Sequence, residues 1–253
     1  MVTGLNLFRD HFAAYGNQYM LIGGSACDML MRNAGLTFRA TRDLDIVLCV
    51  EVLDTKFVNA FWYFVRDGIY QQHYNDAGKP TYYRFSKPEN KEYPAMIELF
   101  SRKPDILRTS EGESHLMPIP MDECSSLSAI LMDDAYYAFI QKGKISIDSI
   151  SLLDAEHLIP LKARAWIDLT KRKAEGQSVD SKSITKHRND VFRLYQVVDP
   201  NVTIDIPQEI ANDMESFLQA TAKELINLKS LGIRTLDLDA LLDNLRGLYL
   251  EGR

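Results

Sequence analysis

Cysteine is scarce in this chain. Three occur in 253 residues, Cys27, Cys49 and Cys124, and no two stand in a C-x-x-C spacing, which excludes a disulfide scaffold and argues against a structural zinc site. They read as small buried apolar residues, so a reducing, cytoplasmic setting is expected. Long apolar runs are missing as well. The N-terminal stretch carries Arg9, Asp10 and His11 in place of an uninterrupted apolar segment, so no secretory signal is expected, and no run is long enough to span a bilayer. Nor is there an excess of positive charge. The net charge is −6, which argues against a general nucleic-acid coat and leaves room only for a local basic surface. No internal repeat or low-complexity tract is present.

What is present is the composition of an ordinary globular protein. At 46% hydrophobic and 25% charged, the chain can bury a sizeable core in one large domain or two modest ones. Its first part mixes periodicities: helices are predicted over residues 5–15, 25–33 and, capped by Asp54 or Thr55, through the aromatic stretch starting at Phe57. Strands are predicted over 19–22, 44–50, 82–85 and 96–100, with a turn at Ala77-Gly78-Lys79-Pro80. Residues 101–123 are polar and weakly periodic, which reads as a long functional loop or an insertion. A short helix over 133–141, closed by Gly143, and a strand over 144–147 follow. Beyond Asp154 every periodic stretch is helical. One helix, capped by Asp154, runs to about residue 174 with Pro160 either kinking it or falling in its first turns, and others span 183–198, the segment begun by Pro207, and 236–249. The expected organisation is therefore α+β: a mixed α/β domain over 1–150 with helices flanking a sheet, then an all-helical domain over 151–253.

The chemistry-bearing pattern lies early. Gly23-Gly24-Ser25 follows the apolar run Tyr19-Met20-Leu21-Ile22, and Asp43-Leu44-Asp45 opens a second apolar run. On a strand Asp43 and Asp45 share one face while Leu44 and Ile46 point to the other. Two adjacent carboxylates repel one another, and a divalent cation such as Mg²⁺, held by hard oxygen ligands together with substrate phosphates, gives that arrangement a purpose. Gly23, Gly24 and Ser25 supply the matching half. Glycines permit close backbone approach to a phosphate, and Ser25 heads a helix whose N-terminus attracts anions.

Three further residues break their local patterns. Glu98, in the apolar strand Met96-Ile97-Glu98-Leu99-Phe100, is a candidate third metal ligand or, alternatively, a strand-edge acid paired with Arg84 or Arg102. Lys162 shares a helical ridge with Leu158 and Trp166; it either snorkels outward or reaches into a cleft to meet a triphosphate. Asp190 either forms a helical pair with Lys186 or orients Lys162 or acts as a base on an incoming hydroxyl. Arg164 is expected to face solvent or steer phosphate, and Lys171-Arg172-Lys173 to form a solvated face. Arg39 and Arg42 stand close enough to Asp43 to help neutralise phosphate. His187 is expected at the edge of the core.

Ile22-Gly23-Gly24-Ser25-Ala26-Cys27-Asp28 and Arg39-Ala40-Thr41-Arg42-Asp43-Leu44-Asp45 resemble the opening motif of the DNA polymerase β-like nucleotidyltransferase superfamily. The Arg-x-Thr-x-Asp-Leu-Asp pattern is similar, more narrowly, to the AbiEii family, the toxin half of type IV toxin–antitoxin and abortive-infection systems. Leu161-Lys162-Ala163-Arg164-Ala165 and Lys186-His187-Arg188-Asn189-Asp190 are similar to its later motifs. The resemblance implies a polymerase β-like mixed sheet of about five strands, closed over by a helical C-terminal domain. It implies a nucleotidyltransferase, one that transfers a nucleoside monophosphate from an NTP to an RNA or other macromolecular acceptor and releases pyrophosphate, with a cognate antitoxin as partner. Alternatives are a small-molecule (antibiotic-type) nucleotidyltransferase or a catalytically silent nucleotide-binding regulator. Carried over by position, Gly23, Gly24, Ser25, Arg42 and Lys162 bind the nucleotide, and Asp43 and Asp45 bind one or two Mg²⁺ ions. Glu98 stands where superfamily members often have an Asp as a further metal ligand. Asp43, Asp45, Lys162 and Asp190 carry the catalytic roles.

Overall fold

The computed structural model describes residues 2–49, 51–74, 80–100 and 133–251, with side chains omitted for residues 72–83. The expected turn at 77–79, the expected loop at 101–123, Arg102 and Cys124 lie outside the described residues. Within them the fold is α+β, with a seven-stranded mixed sheet and eight α-helices that flank and follow it.

The chain begins with α1 (Leu5–Phe12), extended by a 3-10 turn at Ala13–Tyr15, and enters β1 (Tyr19–Ile22) and α2 (Gly23–Asn33). Then come β2 (Asp43–Leu48), α3 (Thr55–Asp67), β3 (Gln71–Tyr74), β4 (Pro80–Ser86), β5 (Met96–Phe100), α4 (Asp134–Lys142), β6 (Lys144–Ile147) and β7 (Ile150–Leu153). The sheet order is β3-β4-β5-β2-β1-β7-β6. β2 pairs antiparallel with β1 and parallel with β5, while β1 pairs parallel with β7. The sheet thus has seven strands rather than about five. The two strands without a sequence prediction have clear physical reasons for being missed. β3 is a polar Gln-Gln-His-Tyr segment, and β7 follows β6 through only two residues, Asp148 and Ser149, both with positive φ (49° and 64°). Such a left-handed pair makes a tight hairpin turn whose twist suits the strands, but glycine or asparagine is its usual signal. β7 also carries the sheet across the expected boundary at residue 150, since Leu152 is paired with Leu21.

Local caps decide where the helices start. Asp54 accepts from the Phe57 amide to open α3, and Asp133 caps α4. Asp154 accepts from the His157 amide to open the long α5 (Ala155–Ala174). Asp180 caps α6 (Ser181–Tyr195), Pro207 precedes α7 (Gln208–Thr221), and Asp237 caps α8 (Leu238–Leu250). Each cap satisfies an amide that the helix leaves free, an effect of about 1 kcal/mol. Pro160 lies inside α5 and cannot donate to the carbonyl of Glu156, four residues earlier. The Tyr249 hydroxyl donates there instead, at 2.7 Å, so α8 supplies the hydrogen bond that the proline removes.

One continuous core joins the sheet to the helices. Phe8, Phe12, Tyr19, Phe57, Phe61 and Phe64 form an aromatic cluster between α1, β1 and α3, with edge-to-face and tilted ring contacts. On the other side of the chain's midpoint, α5 packs against α6 and α7. α2 is the link, because it touches β1 and β2 as well as α5 and α6. The start of α2 therefore stands where sheet and helical half meet. Cys27 and Cys49 are buried free thiols. Among the described residues no helix is long and apolar enough to cross a membrane.

Candidate active site

The turn from β1 into α2 is shaped by what presses on it. Gly23 has φ of 70°, and a Cβ there would lie 1.6 Å from Asp45 Oδ2. Ile22 and Asp45 are register partners, so the glycine is needed for the carboxylate to lie against the backbone. A Cβ on Gly24 would meet Thr41 Oγ1 at 2.7 Å and Arg39 Nη2 at 3.4 Å. The two glycines thus admit the Arg39-Ala40-Thr41 segment and Asp45, a reason for them that the sequence pattern did not reveal. Ser25 lies in the third position of α2 rather than at its cap, and its fully buried hydroxyl donates to the Ile22 carbonyl at 3.2 Å. No side chain caps α2, and no acid occupies its first turn. The anion against its positive end comes from another element, the Asp45 carboxylate of β2 beside Gly23.

Strand alternation places the acids as expected. Leu44 and Ile46 are buried, while Asp43 and Asp45 are half-buried on the opposite face. In the parallel β2–β5 register Asp45 stands beside Glu98, and Glu98 stands beside Arg84 on β4. Ile22, Asp45, Glu98 and Arg84 form one row across four strands. Arg84 Nε donates to Glu98 Oε1 at 2.5 Å, which is the pairing alternative expected for this acid. Asp43 and Asp45 have no hydrogen-bond or ion-pair partner among the described residues. Burial pushes the Asp45 carboxyl up to about 7, and neighbouring Glu98 adds to the rise. Burial and Glu98 likewise raise Asp43, against the pull of Lys186 and Arg42. No group of three or more His, Cys, Asp or Glu side chains converges to hold a metal ion among the described residues. Two unpartnered carboxylates on one face, resisting ionisation, nevertheless fit a hard divalent cation that takes its remaining ligands from water and phosphate.

Facing this row is a cluster of cations, Lys162, Lys186 and Arg193 from the helical half and Arg39 from the segment before β2. Lys162 on α5 is only 2% exposed and does not snorkel outward. Its Nζ lies 3.9 Å from Asp190, which is fully buried on α6. Arg39 Nε and Nη2 grip both Asp190 oxygens at 3.0 and 2.7 Å, and Arg193 Nη1 approaches at 3.4 Å. Arg39 and Arg193 also lie over the Phe38 ring. With both oxygens engaged and no exposure, Asp190 anchors Arg39 and Lys162; nothing in this geometry brings it to an incoming hydroxyl as a base. Lys186, exposed on α6, feels the charges of the same groups. Desolvation pulls its ammonium down from the ordinary range, and Arg39 and Lys162 pull it further. His187 is held well below its usual value, first by burial and then by Lys162 and Lys186, and its buried Nδ1 has no hydrogen-bond partner.

The chain matches no family model, no curated protein and no solved structure. What the site can do is therefore read from its own residues.

Helical spacing marks Lys186 as a partner of Asp190, one turn later; in the fold its charge also acts on Asp43 and Asp45. Arg39 is more than a neutralising neighbour, since it ties the segment before β2 to α6. Arg42 is exposed and acts on Asp43 electrostatically. Arg164 does not face solvent freely: its Nη1 donates to Asp213 at 2.6 Å, and Asp213 also accepts from the Tyr136 hydroxyl at 2.7 Å. That is a clamp between α4, α5 and α7. Lys171 and Arg172 pair along α5 with Glu175 and Asp168, as a solvated face should.

Proposed function

We propose that this protein is an Mg²⁺-dependent nucleotidyltransferase that moves a nucleoside monophosphate from an NTP to an RNA or other macromolecular acceptor. The observation that carries the reading is the opposition of charge at the start of α2: unpartnered Asp43 and Asp45 on one side, Lys162, Lys186 and Arg39 on the other. A triphosphate bound with a divalent cation complements both sides at once. The resemblance of Gly23-Gly24-Ser25 and Asp43-Leu44-Asp45 to the polymerase β-like opening motif supports the same reading, and so does the order of the Lys162 and Asp190 motifs.

In this reading Asp43 and Asp45 hold Mg²⁺, with Glu98 adding negative charge from the neighbouring strand. Bound there, the ion supplies charge neutralisation between phosphate oxygens. The first amides of α2 donate to phosphate oxygens, and Lys162 and Lys186 neutralise the polyphosphate as point charges. Arg39 and Asp190 position Lys162 and exclude water behind it. An acceptor hydroxyl oxygen bonds to the α-phosphorus and the bond to the α–β bridging oxygen breaks. Pyrophosphate leaves with the electron pair, and the hydroxyl proton passes to solvent. The protein's contribution is positioning and electrostatics.

The test is transfer of label from each α-labelled NTP to total RNA with Mg²⁺, beside an Asp43→Ala/Asp45→Ala variant. Transfer should drop by about 10³-fold in the variant, the several kcal/mol expected of a lost metal-centred interaction. Equal transfer by wild type and variant, or Mg²⁺-independent NTP binding in titrations, would overturn the reading.

A further inference from the structure

Beyond the charge cluster at α2 lies a cavity of about 440 Å³ lined by Thr3, Arg42, Lys87, Pro88, Lys91, Tyr93 and Ala95. Its position follows from register. Asp43 is paired with Met96 and Met96 with Ser86, while the Lys87 amide donates to the Ala95 carbonyl at 3.1 Å. Arg42, Ala95 and Lys87 consequently form the next row out from Asp43, two rows beyond the middle of the acidic site. The cavity thus lies at the Asp43 end of β2, and neither Asp45, Lys162 nor Lys186 lines it.

Its lining carries three cations and no acid. Arg42, Lys87 and Lys91 are exposed, and the charged ends of Arg42 and Lys87 have no hydrogen-bond or ion-pair partner among the described residues. Lys91 Nζ donates to the Pro88 carbonyl at 2.9 Å, which keeps it on the rim. The floor is rigid. Tyr93 is 6% exposed and its hydroxyl is turned to Asp67, so the ring presents an apolar wall. In a chain with net charge −6, three cations around one concavity with no acid in its lining make a local anion site against the prevailing sign. Lysine and arginine arranged in this way recognise phosphate, and Thr3 adds a hydroxyl donor.

We infer that this cavity binds a phosphate ester of the acceptor, adjacent to the hydroxyl that is modified. The inference rests on the nucleotidyltransferase reading for the word acceptor, but its recognition chemistry belongs to the cavity alone. The triphosphate is met by Lys162, Lys186 and α2; the second substrate enters across Asp43 with its own phosphate on Arg42, Lys87 and Lys91. A phosphate ester reaches the cavity from either a polynucleotide or a small phosphorylated alcohol.

The experiment measures binding of a fluorescein-labelled single-stranded RNA oligonucleotide by anisotropy, and of glycerol 3-phosphate by calorimetry, to the full chain and to Lys87→Ala/Lys91→Ala. Mg²⁺-linked NTP binding is titrated on both proteins. If RNA is the source, the variant binds it about tenfold more weakly, and the slope of log affinity against log salt falls by about 1.4, the contribution of two phosphate contacts to a single strand. If a small ester is the source, only glycerol 3-phosphate binding is lost. NTP binding should change by less than about twofold, because these lysines lie off the triphosphate side. Unchanged binding of both probes in the variant overturns the inference, and so does an equal loss of NTP binding, which would show a diffuse charge effect. Lysine-dependent RNA binding by a wild-type protein that binds no NTP with Mg²⁺ would keep the phosphate site and remove the enzymatic reading instead.

Discussion

The two halves of the candidate site handle charge in opposite ways. On the helical side, Lys162, Arg39 and Arg193 converge on Asp190, an anion built into the fold and fully buried among them. On the sheet side, Asp43 and Asp45 lie on a strand face with no cationic partner in hydrogen-bond range among the described residues, and both carboxyls are pushed upward. The cations are organised in advance; the acids await a counter-charge. This asymmetry is what a site that imports a cation with its anionic substrate requires. A site whose acids served only stability would have them paired.

Removing the built-in anion should have the largest effect on the folded protein. Asp190→Ala leaves Arg39, Arg193 and Lys162 crowded without compensation. Such loss of one partner from a buried ionic cluster costs about 3–5 kcal/mol, so thermal and denaturant unfolding should both shift strongly. If Asp190→Ala proved as stable as wild type, the helical half would not be the preorganised side, and the contrast would collapse. Gly23→Ala comes next. Its Cβ falls 1.6 Å from the Asp45 carboxylate at a φ of 70°, so a loss of about 1–3 kcal/mol is expected from backbone strain, together with weaker Mg²⁺-linked NTP binding as Asp45 moves. Retained stability with retained binding would show that the glycine does not position Asp45.

A third test is a pH dependence confined to the acidic side. Asp45 titrates near 3.8 in an unfolded chain and is raised to about 7 in the folded one. Below pH 4 both states are protonated and the group has no effect. As pH rises from about 4 to about 7 the unfolded state ionises first, so metal-free protein loses stability across that window. Asp45→Asn should flatten the decline in thermal melts, and Mg²⁺ with NTP should offset it in wild type. A wild-type profile already flat between pH 4 and 7 would mean that Asp45 is compensated from within, making the two halves alike.

Much of the fold was legible because periodicity and caps are local signals. The strand Tyr19–Ile22, the caps Asp54 and Asp154, the helix ended by Gly143 and the shared face of Asp43 and Asp45 all follow from short segments. β3 and β7 were not legible, since a four-residue strand is specified by the neighbours it pairs with rather than by its own pattern. The same distinction applies to the site. Alternation put two carboxylates side by side, and helical spacing put Lys162 among apolar neighbours. Nothing in sequence spacing could say that Arg39 grips Asp190, 151 residues away, or decide between Arg84 and a metal ion as the partner of Glu98.

By itself, then, the sequence determined which residue types stand at which period: glycines at a strand-to-helix turn, two acids on one strand face, a lysine on an apolar ridge. Those are consequences of backbone geometry within a few residues. Tertiary structure alone decided their partners. The β1–β2 register made Gly23 the seat of Asp45, the β2–β5 register set Glu98 beside it, and the packing of α2 on α5 and α6 brought Lys162 and Lys186 to face them. Charge interactions depend on distance and burial, which only the packed chain supplies.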